Sequence, residues 1–265
     1  LALAFWVRDI YRKSSFINLW ATMTPPDILL CNSQWTRRSL TSLFHGITPV
    51  IIYNPVAAPQ INRERARAGI RSELNAASDA LAIVLTSRLE RWKGHELLLD
   101  ALALLSDIPD WVLWVAGGVK GHRESLFLNN LHRRCARLGI VKRVRWLGHR
   151  NDVAEVLAAA DIHCQPNLKP EPFGNAFVEA LHAGLPVVTI AFGGPTEILA
   201  PGCGRLIPPG DPVALASTLR DYLLSPDLRR QAAEAGPRRA AELCDPERQM
   251  GHLQRSLRAI VNARA

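Results

Sequence analysis

From about residue 80 to residue 190 the chain repeats one rhythm: a short apolar run, a loop, then a longer stretch with apolar residues at helical spacing. The runs at 81–86, 111–116, 144–147, 162–165 and 186–190 alternate with helical stretches near 94–106, 123–138, 151–159 and 174–183. The run through Val187 and Val188 shows no polar alternation, which predicts a strand buried on both faces. Strand followed by helix at this spacing predicts an α/β fold with a parallel, doubly wound sheet. In such sheets ligands bind beyond the carboxyl ends of the strands, so the loops after these runs are the places to look for chemistry.

Upstream, residues 5–20 carry Trp6, Ile10, Ile17 and Trp20 at roughly helical spacing and predict a helix. Residues 27–32 read as a strand, Ser33 as the cap of a helix running to about Phe44, and 50–54 as a strand stopped by Pro55. One βαβ unit cannot bury both faces of its own sheet, so it must close a larger domain or graft onto the next one. Downstream, 211–224, 227–243 and 246–261 read as helices, and no internal repeat or low-complexity segment is evident.

The richest loop runs into the string Glu171-Pro-Phe-Gly-Asn-Ala-Phe-Val-Glu179. Pro172 has no N–H to give and Gly174 bends freely, so a helix is predicted to start near Gly174 with its first N–H groups unpaired. That end attracts an anion: a phosphate can accept from the backbone of Asn175 and Ala176. Glu171 and Glu179 repel phosphate and are free to accept from sugar hydroxyls. The helix then stops at Gly184, before a turn at Pro186 and the apolar run.

A second loop, Thr86-Ser-Arg88-Leu-Glu-Arg-Trp-Lys93-Gly94, follows the first strand and puts two cations within reach of one anion. Charge-assisted hydrogen bonds contribute roughly 1.5–3 kcal/mol each, more than the roughly 0.3–2 kcal/mol of a helix end, so Arg88 and Lys93 are expected to dominate phosphate binding. Gly117-Gly118 either lets a ligand approach the backbone or makes a simple turn. Arg150 either meets a nucleotide base or lies in solvent while Asn151 or Asp152 caps the next helix. Lys169 adds a cation, and His95, His163 and His182 read as packing or solvated residues rather than catalysts.

Composition sets outer limits. Of 265 residues, 48% are apolar and 21% charged, enough to bury an ordinary core. Thirty-two basic residues against 24 acidic ones give +8, which favours acidic partners without choosing among nucleotide diphosphates, nucleic acid and anionic lipid. The 5 cysteines form no C-x-x-C pair, which points to a reducing compartment, and His132 with Cys135 lacks the second pair a zinc site needs. No apolar run reaches the ~18–20 residues of a membrane-spanning helix. Residues 1–7 do not read as a signal peptide, and a chain opening mid-pattern on Leu1 looks truncated or processed.

The string from Glu171 to Val188 resembles the signature of the retaining glycosyltransferases of family four, E-P-F-G-x-x-x-x-E-A-x-x-x-G-x-P-V-V. Arg88 to Gly94 is similar to that family's G-R-L-x-x-x-K-G, with Ser87 in place of the glycine; Pro166-Asn167 stands where many relatives have P-S; and Gly193 to Glu197 is similar to its G-G-x-x-E, with Glu197 capping or bracing the next helix. The resemblance implies the Rossmann-like donor domain of a GT-B enzyme at 61–245, preceded at 1–60 by the end of the amino-terminal, acceptor-side domain and followed at 246–265 by a carboxyl-terminal helix. It implies transfer of a hexose from a UDP- or GDP-sugar with retention and without a metal or other cofactor. Arg88, Lys93 and Glu171 would be the catalytic residues, with Phe173, Gly174, Asn175, Ala176, Glu179 and Arg150 holding the nucleotide.

The expected partners are that donor and a sugar or lipid-linked acceptor, with no nucleic acid, in the cytoplasm. Arg8, Arg12 and Lys13 beside the first helix leave peripheral association with the inner face of a membrane open. An amino-terminal domain supplied in trans is also left open, as are a donor-binding module inactive alone and a related GT-B phosphorylase or epimerase.

Overall fold

The computed structural model describes residues 2–9, 23–41, 43–77 and 79–263. Two parallel sheets organise it. The smaller has three strands in the order β1 (Ala4–Val7), β2 (Ile28–Cys31), β3 (Val50–Ile51), with helix α1 (Gln34–Thr41) between the last two. The expected helix at 5–20 is therefore corrected at its start: Trp6 lies in a strand whose residues pair one for one with 28–31. Ile10, Ile17 and Trp20 lie outside the described residues.

After α2 (Arg63–Glu73) the chain builds the larger sheet. Its strands are β4 (Leu81–Thr86), β5 (Trp111–Ala116), β6 (Val144–Gly148), β7 (Ile162–Cys164), β8 (Val187–Ile190) and β9 (Gly204–Ile207). The helices between and beyond them are α3 (His95–Ala103), α4 (His122–Arg137), α5 (Val153–Ala159), α6 (Asn175–His182), α7 (Pro195–Ile198), α8 (Pro212–Leu224), α9 (Pro226–Cys244) and α10 (Pro246–Ala263). All pairings are parallel, and the order β6-β5-β4-β7-β8-β9 reverses its direction of growth between β4 and β7. A crevice opens at such a reversal, because the loops after the two central strands leave in opposite directions.

The apolar strands are explained by cover on both faces. Along β4, Ile83 and Leu85 join α3, α4 and α8 in one cluster, while Ala82 and Val84 join α2, α5, α6 and α9 in another. The small sheet is buried in a different way. Leu29 and Cys31 pack beneath Leu40 and Phe44, whereas Ile28, Leu30 and Ile52 on the other face meet Leu253, Leu257 and Ile260 of α10. The last helix of the chain thus returns to cover the first sheet.

Candidate functional site

The loops leaving β4, β5 and β6 enclose a cavity of about 500 Å³. Thr86, Ser87 and Arg88 come from the first, Ala116 to Lys120 from the second, and His149 and Arg150 from the third; Val153, Ala176 and Glu179 close it from α5 and α6. Gly117 and Gly118 make this wall thin. A Cβ on Gly117 would stand 2.1 Å from the Ser87 carbonyl, so the loops after β4 and β5 touch backbone to backbone. A second cleft, of about 600 Å³, lies on the other side of Arg88 and is lined by Arg8, Asp9, Trp92, Lys169, Pro170, Glu171 and Pro172.

Helix α6 starts at Asn175, preceded by Gly174 at φ +108°, where a Cβ would meet the Phe177 ring at 2.4 Å. Gly174 brings no side chain to cap the helix, so its first N–H groups remain a site of positive potential facing the cavity through Ala176. The Asn175 side chain is engaged elsewhere, accepting at 2.7 Å from Nδ2 of Asn54 in the segment after the small sheet. Glu179, one turn further on, borders the cavity, and burial raises its carboxyl above the usual range.

The two expected phosphate cations do not share a partner. Arg88 is 64% exposed at the rim between the two spaces and pairs with Glu90 at 2.8 Å. Lys93 is only 10% exposed; its Nζ lies 2.5 Å from Oε2 of Glu171 and 3.9 Å from the centre of the Trp92 ring. The loop reaches this depth because Gly94, at φ +81°, passes the Pro166 carbonyl so closely that a Cβ would sit 1.9 Å from it. Glu171 is itself fixed from behind. Its carbonyl accepts from Gly194 N at 2.8 Å, and a Cβ on Gly193 would stand 2.5 Å from the same oxygen.

Two other expectations are corrected. Phe173 was expected among the nucleotide contacts, but its side chain is 1% exposed and packs against Tyr53 with ring centres 5.8 Å apart. Arg150 borders the cavity, yet its guanidinium is gripped by Glu73 and Asp152 and is held more firmly charged by those bonds. The alternative that left Arg150 in solvent does not hold: its guanidinium is ion-paired, and Asp152 bonds Arg150 rather than capping α5.

Sequence reasoning passed over Lys120 as a wall residue; only its nearness to the Gly117-Gly118 turn pointed to it. Glu197 is engaged in a way no local reading anticipates. It accepts from Gln34 N at 2.8 Å, Trp35 N at 3.3 Å and the Tyr53 hydroxyl at 3.1 Å, so it caps α1 from across the molecule. His132 stacks on Trp146 at 4.9 Å, and the 5 cysteines are free and buried.

Residues 66–239 match the family model of glycosyl transferases group 1. The chain is 35% identical over 184 residues to a D-inositol 3-phosphate glycosyltransferase of Streptomyces coelicolor, covering 66% of this chain and 40% of that one. It is 36% identical over 148 residues to a phosphatidyl-myo-inositol mannosyltransferase of Mycobacterium leprae, covering 54% and 37%. The chain thus spans less than half the length of these curated relatives. Anabaena Alr3699/HepE in complex with UDP superposes with a TM-score of 0.87 at 25% identity, over 97% of this chain and 72% of that one. The doubly wound sheet, its GT-B structural neighbours and the family match together show that the chain belongs to the glycosyl transferases group 1 family.

Proposed function

We propose that this chain carries the donor site of a hexosyltransferase that moves a sugar from UDP or GDP to an acceptor with retention at the anomeric carbon. The observation that carries the reading is the cavity itself: a cation, a glycine-thinned wall, an uncapped helix start and a half-buried carboxylate converge on one space. Support for the ligand class comes from Alr3699/HepE, whose structures hold UDP and UDP-glucose.

In this reading the diphosphate lies between Arg88 and the amino end of α6, with Asn175 and Ala176 donating through their backbone N–H groups. Glu179 accepts from the ribose hydroxyls, and Arg150 shapes the base end of the cavity while held by its own carboxylates. Glu171, facing the second cleft, accepts from hydroxyls of the transferred hexose, and Lys93 beside it adds positive charge near the breaking bond. As that bond breaks, charge collects on the departing diphosphate, and fixed cations stabilise it more than they stabilise the bound donor. The reaction as proposed assigns this role to side chains and the helix end, with no metal or cofactor.

The reading takes 1–60 as the close of an acceptor-side domain and 61–245 as the donor domain, with 246–265 as a helix that reaches back to the former. A cytoplasmic site of action fits 5 free, buried thiols. Among the described residues no helix is long and apolar enough to cross a membrane. Because the chain spans 40% and 37% of two relatives, a second reading keeps donor binding and leaves transfer to an acceptor domain elsewhere. Calorimetry with UDP, GDP, ADP and CMP tests the shared core of both: a uridine or guanosine diphosphate should bind and raise the melting temperature. No heat with any of the four would sink the donor site.

A further inference from the structure

The Lys93–Glu171 pair sits at the end of a line of buried amides. Oε2 of Glu171 accepts from Lys93 Nζ at 2.5 Å and from Asn167 Nδ2 at 3.0 Å. Asn167 is fully buried, and its Oδ1 accepts from Gln165 Nε2 at 2.9 Å. Gln165, 2% exposed, is anchored in turn through its backbone carbonyl, which accepts from the Thr189 hydroxyl at 2.8 Å. These contacts fix which way the amides face. Turning both over would set the Asn167 oxygen against the Glu171 carboxylate, acceptor against acceptor, so only the observed orientation gives Glu171 a donor.

Both donors meet the same carboxylate oxygen. Among the described residues no hydrogen bond reaches Oε1, while Glu171 lines the cleft beside Trp92 and Lys169. A carboxylate held on one side by two donors cannot swing, and its second oxygen stays available to whatever enters the cleft.

We propose that Gln165 and Asn167 are positioning residues that saturate Oε2 of Glu171 and reserve Oε1 for a hydroxyl of the transferred sugar. The inference rests on the donor-site reading above and extends it to two residues that line neither the nucleotide cavity nor the cleft. Their effect should therefore appear on the sugar and not on the nucleotide.

The test compares affinities for UDP and UDP-glucose, and for GDP and GDP-mannose, using whichever pair binds the parent chain. In Asn167→Ala the nucleotide should bind within twofold of the parent, while the affinity ratio of nucleotide sugar to nucleotide falls about tenfold, the scale of one hydrogen bond to a charged group. Asn167→Asp, nearly the same shape, should fall further, because a second carboxylate would face Glu171. Asn167→Ser, which keeps a donor, should recover part of the loss. A packing role would give the opposite ranking, with Asp tolerated best and both ligands weakened together.

Should Ala at 167 fail to fold, Gln165→Met carries the same test by freeing the Asn167 amide to rotate. An unchanged ratio in the Ala and Asp variants, with nucleotide still bound, would overturn the relay and leave the donor site standing. Failure of the parent to bind either nucleotide would remove both.

Discussion

Removing the Glu197 carboxylate should cost the protein the joint between its two sheets. Helix α1 begins at Gln34, and its first three N–H groups are all satisfied: those of Gln34 and Trp35 by Glu197, and that of Thr36 by the Ser33 hydroxyl at 3.0 Å. Glu197 also receives the Tyr53 hydroxyl, whose own ionisation is pushed upward by burial and by that carboxylate. Losing a cap costs typically about 1 kcal/mol, and a half-buried hydroxyl left without its charged acceptor costs about 1–2 kcal/mol more. Glu197→Ala should therefore lower stability by about 2–3 kcal/mol. At roughly 2–4 °C per kcal/mol for a chain of this size, the melting temperature should fall by about 4–12 °C. Urea unfolding followed by tryptophan fluorescence would measure it, and Tyr53→Phe with the double variant would isolate the shared term. A Glu197→Ala stability within about 0.5 kcal/mol of the parent would refute the joint, since that is the ordinary scatter of surface substitutions.

Glu179 should show opposite signs in two assays. Burial raises its carboxyl above the unfolded value, so that contribution to stability is full at acid pH and lost as pH rises through the folded value. At pH 7.5 Glu179→Gln should then melt no lower than the parent while binding UDP or GDP about tenfold more weakly; a lower melting point with unchanged affinity would reverse the assignment. Two buried histidines make the chain acid-labile: burial lowers His95 to about 4 and His163 to about 3. Both are neutral in either state above about 6.5, and below it the unfolded chain takes up protons the folded one refuses. Each should cost about 1.4 kcal/mol by pH 5.5, and urea midpoints that stay flat from pH 7.5 to 5.5 would count against it. Arg88, 64% exposed, should matter little to folding. Arg88→Ala should melt with the parent yet bind nucleotide diphosphate more weakly and with a shallower salt dependence, and equal binding at 20 and 200 mM salt before and after the change would argue that it faces only solvent.

Much of the larger sheet was legible because its signals are local. Five of its strands are apolar runs, and Gly184 with Pro186 marks where α6 must stop before β8 begins. The amino end of α6 was equally plain from Pro172 and Gly174, whose backbone constraints act within a few residues. Helix α2 escaped notice because only Ala66, Ile70 and Arg71 are buried in it, so no apolar stripe advertises it. Strand β9 escaped because it opens on Gly204, required there by the Val187 carbonyl 2.0 Å from where a Cβ would be.

What the sequence by itself determined, then, was the order of elements, the carboxylates flanking an uncapped helix start, and the loop carrying two cations. Only the tertiary structure decided how those groups are spent. It turned Lys93 away from Arg88 and onto Glu171, 78 residues distant, sent Glu197 to cap a helix 163 residues earlier, and buried Phe173 against Tyr53. The same holds for the small sheet, whose need for a second covering face was evident from its size but whose cover, Leu253 and its neighbours on α10, comes from the far end of the chain. Periodicity and turn chemistry reach only a few residues along a chain, whereas a carboxylate or an exposed strand face takes whichever partner the finished packing brings within contact distance.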